Sequence, residues 1–336
     1  MNVSGNGAPS EGEPLKKHDS TDSTSVAQAR GRRWYYWRLL AMVIGILLLV
    51  GAIVMVALQR DTIASAFQAM AQPQPGPILL LIASMLATIF VTGVQFNLLL
   101  SRHRLPMLEM QGLIAGSALL NFLPLKAGLL GRITYHQVVN GIRPLETVQA
   151  MLLARGSGLV VIGFTALALF LRDLADGPLW AYALLPAVVP GWFLMARFTR
   201  ITALVVILKY GDLLLMAIRY YCAFMLMGET IGFDVCMGLA CIGMLAGAIP
   251  FLTGGLGLRE WLVGWFTTIL VVMPGALELG LLADLINRGI ELAVLIPVGG
   301  VSILWLRPRF VRSLKEAQAR QQAELASVSQ PRSPDP

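Results

Sequence analysis

Apolar positions in this chain run in long unbroken stretches, without the alternation of a half-buried strand or the single stripe of a surface helix. Residues 39–58 read LLAMVIGILLLVGAIVMVAL, twenty positions without one charge. At about 1.5 Å per residue such a helix crosses a hydrocarbon core of roughly 30 Å. Runs at 78–100, 147–171, 178–196 and 281–306 match it, and a more polar stretch at about 201–228 is long enough to follow. A soluble core can hide one such helix, but not five. The pattern predicts an all-α, polytopic transmembrane helix bundle.

Two apolar segments are left over, about 107–140 and 235–273, and each is broken midway by proline, glycine and charge. Residues 1–29 are rich in Ser, Gly and Glu and are expected to form a disordered cytoplasmic tail. Residues 30–307 read as the membrane domain, and 308–336 as a basic and polar cytoplasmic tail that begins as a short helix and frays.

Composition agrees: 56% of the 336 residues are hydrophobic and 13% charged, against roughly 25% charged in soluble domains. The net charge of +7 is concentrated beside the spans, at Arg30, Arg32, Arg33 and Arg38 and again at Arg307, Arg309, Arg312 and Lys315. Such clusters are cytoplasmic anchors rather than a nucleic-acid surface. Trp34, Tyr35, Tyr36 and Trp37 form an aromatic belt at the first boundary. Ala64-Ser65-Ala66 resembles a signal-peptide cleavage site. The apolar run is too long for one, and Arg60 and Asp61 intervene, so a retained anchor is expected.

Charge also sets the topology. Both termini are expected in the cytoplasm of a multi-pass protein of the cell (inner) membrane, which requires an even number of crossings. Six full spans satisfy this if each leftover segment is a re-entrant hairpin, the first open to the cytoplasm and the second to the outside. Two short full crossings are the alternative.

The broken segments resemble each other. GLIAGSALLNFLPLKAGLLGR and GMLAGAIPFLTGGLGLRE each open on a GxxxG pair, Gly112/Gly116 and Gly243/Gly247. Each then places a proline with glycines four and seven residues on: Pro124, Gly128 and Gly131, and Pro250, Gly254 and Gly257. Arg132 or Arg259 follows, and an Arg-Gly pair lies in the next span, at Arg155 and Arg288. With the assigned topology the copies run in opposite senses, an inverted repeat whose broken helices meet near the midplane.

The segment PFLTGGLGLRE, from Pro250 to Glu260, resembles the signature of the flippase-like transmembrane region of lysylphosphatidylglycerol synthases. Asn121, Pro124 and Gly128 resemble its first motif, with Leu129-Leu130 where an acidic residue often stands. The resemblance covers roughly residues 37–307 and has no counterpart of the soluble aminoacyl-transfer domain. It implies a stand-alone relative that handles or translocates lipid rather than making it.

Ionisable groups at membrane depth cost roughly 2.5–3.5 kcal/mol each on insertion scales and call for a partner or a task. Asp284, Arg288 and Glu291 fall on one helical face of the last span, as an internal ion pair or as a polar lining. The glycine-rich elbows leave backbone N–H groups free for phosphate, or serve packing alone. The candidate phosphate-binding set is Lys126, Arg132, Arg155, Gly254, Gly255, Gly257, Arg259, Glu260 and Arg288, with Glu260 orienting Arg259. Lys209 and Asp212, three apart, read as a simple pair near the interface.

No metal or other cofactor is expected, because His18, His103 and His136 lack partners at ligand spacing and Cys222, Cys236 and Cys241 read as buried apolar groups. The leading reading is a membrane protein that binds and translocates a phosphate-bearing lipid. The alternatives are a glycosyltransferase on a polyprenyl-phosphate, for which only Asp173 and Asp176 offer carboxylates, and a subunit that positions a partner enzyme. A homo-oligomer is compatible with each. The topology is testable: a cysteine at Lys126→Cys should react from the cytoplasmic side, and labelling from outside alone would refute the inverted arrangement.

Overall fold

The computed structural model describes residues 43, 46–51, 53, 54, 75–122, 127–175, 200–248 and 257–329. All lie within one compact unit, Ala41–Pro336. The chain folds into α1 (Pro75–Leu99), a 3-10 turn (Ser101–His103), α2 (Met107–Leu120), α3 (Ala127–Asn140) and α4 (Pro144–Ala175). Then come α5 (Arg200–Leu226), α6 (Phe233–Ala248), α7 (Leu258–Leu270) and α8 (Ala276–Ser329). No strand occurs among the described residues.

Four helices, α1, α4, α5 and α8, are long and apolar enough to cross a membrane. They coincide with four of the expected spans. The described part of 39–58, including 46–51, is helical, and the expected span 178–196 lies outside the described residues. Large apolar side chains stay exposed on the long helices, among them Leu79, Phe90, Leu153, Phe170, Leu204, Val301 and Leu304. Polar groups turn inward instead, Gln95, Thr165, Asp212, Arg219 and Asp284 among them. Apolar outside and polar inside is the distribution of a protein solvated by lipid.

Each leftover segment is a pair of short helices, α2–α3 and α6–α7, that pack on each other. The order long, short, short, long therefore occurs twice, as α1–α4 and as α5–α8. Packing follows the same order. Exchanging α1 with α5, α2 with α6, α3 with α7 and α4 with α8 turns the pair α2–α8 into α6–α4, and α1–α2 into α5–α6. Every packed pair has its counterpart in this way except α3–α8, and α1–α5 maps onto itself.

The hairpin bases lie at opposite ends of α4. At its amino end, His103 pairs with Glu146 at 2.8 Å, and only 141–143 separate α3 from α4. Close in sequence to His103, Glu109 of α2 accepts hydrogen bonds from Tyr135 of α3 (3.2 Å) and Arg309 of α8 (3.1 Å). Tyr135 also stacks on Phe310. At the carboxyl end of α4, Arg172 pairs with Asp234 at the start of α6. A Cβ on Gly238 would meet Leu270, the last residue of α7, at 3.2 Å and Leu169 of α4 at 3.9 Å.

Small residues let these helices approach. Gly112 and Gly116 face Trp305 and Ile303 of α8, while a Cβ on Gly299 would stand 2.8 Å from Leu119. In the second pair only Gly243 is crowded, by Met216 and the Tyr220 hydroxyl. The helix expected to begin the tail is long: α8 continues through Pro297 and Pro308 to Ser329, 54 residues in all.

Of the expected helix breaks, Pro124 and Pro250 lie outside the described residues. Gly128 and Gly131 fall inside α3 and differ sharply. A Cβ on Gly128 would overlap the Ser117 carbonyl oxygen and approach Asn121 Oδ1 to 2.6 Å, whereas one on Gly131 would meet only Leu120 at 3.9 Å. Overpacking against backbone costs at least about 1–3 kcal/mol. Gly128→Ala should therefore lower thermal stability in detergent clearly, and Gly131→Ala should leave it near wild type.

Candidate functional site

A cavity of about 380 Å³ opens where the two hairpins approach each other. Asn121, at the end of α2, lines it, and so do Gly247 and Ala248, which end α6. Both interrupted segments thus run up to its wall. Leu129, in the first turn of α3, lines it too, so the positive end of that helix dipole abuts the space.

The charged wall is basic. Arg132 on α3 is 9% exposed, donates from Nη2 to Ser117 Oγ at 2.6 Å and lies 4.4 Å over the Phe96 ring. Arg155 on α4 is exposed and donates to the Ala248 carbonyl at 3.4 Å. Neither guanidinium has a carboxylate partner among the described residues, and they lie close enough to repel each other. Lys209 and Asp212 of α5, also in the wall, neutralise each other at 2.7 Å.

Part of the polar wall is unsatisfied among the described residues. Gln95, 1% exposed on α1, has no hydrogen-bond partner for Nε2; Asn121 Oδ1 and Arg132 Nε have none either. Thr92, one turn before Gln95, completes this face. Buried polar atoms are almost always bonded, and among the described residues these three stand unbonded around a space with room for a polar guest.

The second half resolves its charges internally. Arg259, in the first turn of α7, donates from Nε to Asp284 Oδ2 of α8 at 2.9 Å, and its Nη2 forms an ion pair with Oδ1 at 2.8 Å. Tyr220 of α5 donates a second hydrogen bond to the same carboxylate at 2.7 Å. Arg288 donates from Nε to Glu260 at 3.3 Å, and Glu291 lies 3.7 Å from both Arg259 and Arg288. Arg219 of α5 reaches the Met85 sulfur at 2.9 Å and feels both Glu291 and Asp212. Gly257, at φ +81, starts α7 in a backbone conformation that side chains other than hydrogen rarely adopt.

No family model, curated protein or solved structure matches this chain.

The residues singled out from sequence divide accordingly. Arg132 and Arg155 come together at the cavity. Arg259, Glu260, Asp284, Arg288 and Glu291 come together in the ion network, away from its wall. Two details differ from the expectation. Asp284 pairs across helices with Arg259 instead of along its own helix with Arg288, and Glu260 serves Arg288 instead of orienting Arg259. Lys126, Gly254 and Gly255 lie outside the described residues. Gln95 and Thr92 escaped the sequence reading, although an amide inside the apolar run 78–100 was a signal.

Breaking one partner of a buried pair strands the other charge, at roughly 3–5 kcal/mol, whereas replacing both with apolar groups is often neutral. Arg259→Met and Asp284→Leu should each cause a large loss of thermal stability in detergent. The double variant should recover most of it, and additive losses would show that the fork contributes nothing specific.

Proposed function

We propose that this integral membrane protein binds the phosphate of a lipid headgroup in the cavity and carries the lipid across the bilayer. The observation that carries this reading is the pair Arg132 and Arg155, two cations without carboxylates in a cavity between two interrupted helices. Arg155 stands about 16 Å along α4 from its amino end, near the middle of a span of roughly 30 Å. A cation exposed there is costly unless the space is wet or an anion fills it. A guanidinium matches phosphate oxygens two at a time.

Translocation is supported by the repeated packing. The first hairpin has its base at the amino end of α4 and the second at its carboxyl end, as expected of re-entrant hairpins in an inverted repeat. The cavity is open beside the first half while the arginines of the second are closed on carboxylates. Exchanging these two arrangements would move the opening to the other face, in the manner of inverted-repeat transporters. The orientation with both termini in the cytoplasm of the inner membrane belongs to this proposal. So does kinship with the flippase-like region of lysylphosphatidylglycerol synthases, on the strength of the two elbow motifs.

Each charged hydrogen bond to phosphate contributes roughly 1.5–3 kcal/mol, so removing one weakens binding about ten- to a hundredfold. Arg132→Gln and Arg155→Gln should each deplete the anionic phospholipid that stays bound on native mass spectrometry. The same variants should slow translocation of a fluorescent phospholipid in proteoliposomes. Unchanged lipid retention in both folded variants would refute the assignment.

A further inference from the structure

The two halves carry their arginines at matching positions but not their acids. Aligned on Arg155-Gly156 and Arg288-Gly289, Asp284 falls against Met151 and Glu291 against Gly158. Aligned on Arg132 and Arg259, Glu260 falls against Ile133. Every acid of the second network is thus replaced by an uncharged residue in the first half. Met151 and Gly158 are not merely neutral: both line the cavity. The empty space therefore occupies the positions that correspond to the carboxylates of Asp284 and Glu291.

The charges can be balanced on each side. Around the second network, Arg219, Arg259 and Arg288 face Glu260, Asp284 and Glu291, which closes to neutrality. Around the cavity, among the described residues, Arg132, Arg155 and Lys209 face only Asp212, leaving two positive charges. A phosphate that bridges two esters carries one negative charge. A terminal phosphate carries about −1.5 to −2 near neutral pH and offers three acceptor oxygens. Gln95 Nε2 and Arg132 Nε are two donors at this wall still without an acceptor.

We infer that the ligand of this cavity is a lipid ending in a terminal phosphate, a dianion standing where the second half keeps two carboxylates. This rests on the phosphate reading above and narrows it to monoesters. It also explains why the second half is closed: its arginines hold a built-in copy of the bound charge.

The test titrates the purified full chain with three probes at about pH 8, above the second phosphate pKa of roughly 6. These are dioleoyl phosphatidic acid, dioleoyl phosphatidylglycerol and inorganic phosphate, read by native mass spectrometry. Phosphatidic acid should bind roughly tenfold or more tighter than phosphatidylglycerol, the difference of about one charged hydrogen bond. Met151→Asp, which restores a carboxylate without removing a cation, should abolish that preference, and so should Arg132→Gln. The aspartate variant decides the matter if the glutamine variant fails to fold. Equal binding of the two lipids, lost in both variants, would overturn the dianion and leave the phosphate site standing. Lipid binding untouched by either variant would overturn the site and the inference with it. Inorganic phosphate binding as tightly as phosphatidic acid would overturn the lipid and leave a free-phosphate site.

Discussion

A guanidinium buried among apolar helices demands a carboxylate, and the fork between Arg259 and Asp284 meets that demand in the second half. Its reach ties the first turn of α7 to α8, and the Tyr220 hydroxyl brings α5 to the same oxygen. Three helices are thereby fixed around one carboxylate that is fully removed from solvent. The geometry around it follows. Gly264 and Gly280 bring α7 and α8 into backbone contact, and only so close an approach lets a residue in the first turn of α7 meet Asp284 squarely. A hydrophobic side chain at either glycine would hold the helices apart and leave both charges half-bonded.

Elsewhere, polar contacts are used to join elements rather than to fill space. The clamp of Glu109 by Tyr135 and Arg309 holds both arms of the first hairpin to α8. Arg288 lies 5.7 Å over the ring of Phe122, just beyond α2, so the second network also touches the end of the first hairpin. Trp261 of α7 donates to the Leu48 carbonyl at 2.9 Å, which seats the first apolar run against the second hairpin. Apolar packing between helices gains little in lipid, and such bonds supply the specificity that the hydrophobic effect supplies in water.

Much of the architecture was legible in the sequence because the bilayer imposes a length and a composition that a chain cannot disguise. The helices α1, α4, α5 and α8 fall on runs set by apolar length alone, and the two hairpins on runs set by their interruptions. Gly112 and Gly116 were legible as a packing face because a small pair one turn apart has few other uses. What stayed hidden depends on which helices meet. Arg259 and Asp284 are 25 positions apart, so periodicity along α8 pointed to Arg288 as the nearer partner. Where the tail was expected to begin as a short helix and fray, α8 runs on past Pro308 to Ser329. A proline removes one backbone hydrogen bond, and Arg309 and Phe310, anchored on Glu109 and Tyr135, hold the helix together past it.

The difference between the halves is the remaining step. Two arms that pack alike would ordinarily bury alike, and a repeated core tolerates an unpaired arginine no better in one copy than in the other. Met151, Gly158 and Ile133 stand at the positions of the three acids, so the first half has no such network. The arginines are present all the same. Arg132 on Ser117 and Phe96, and Arg155 on the Ala248 carbonyl, join elements of the fold, but these contacts leave each charge without a counter-charge. Under the proposed function that charge is met by an anion that comes and goes, for which the open wall around Arg132 and Arg155 has room.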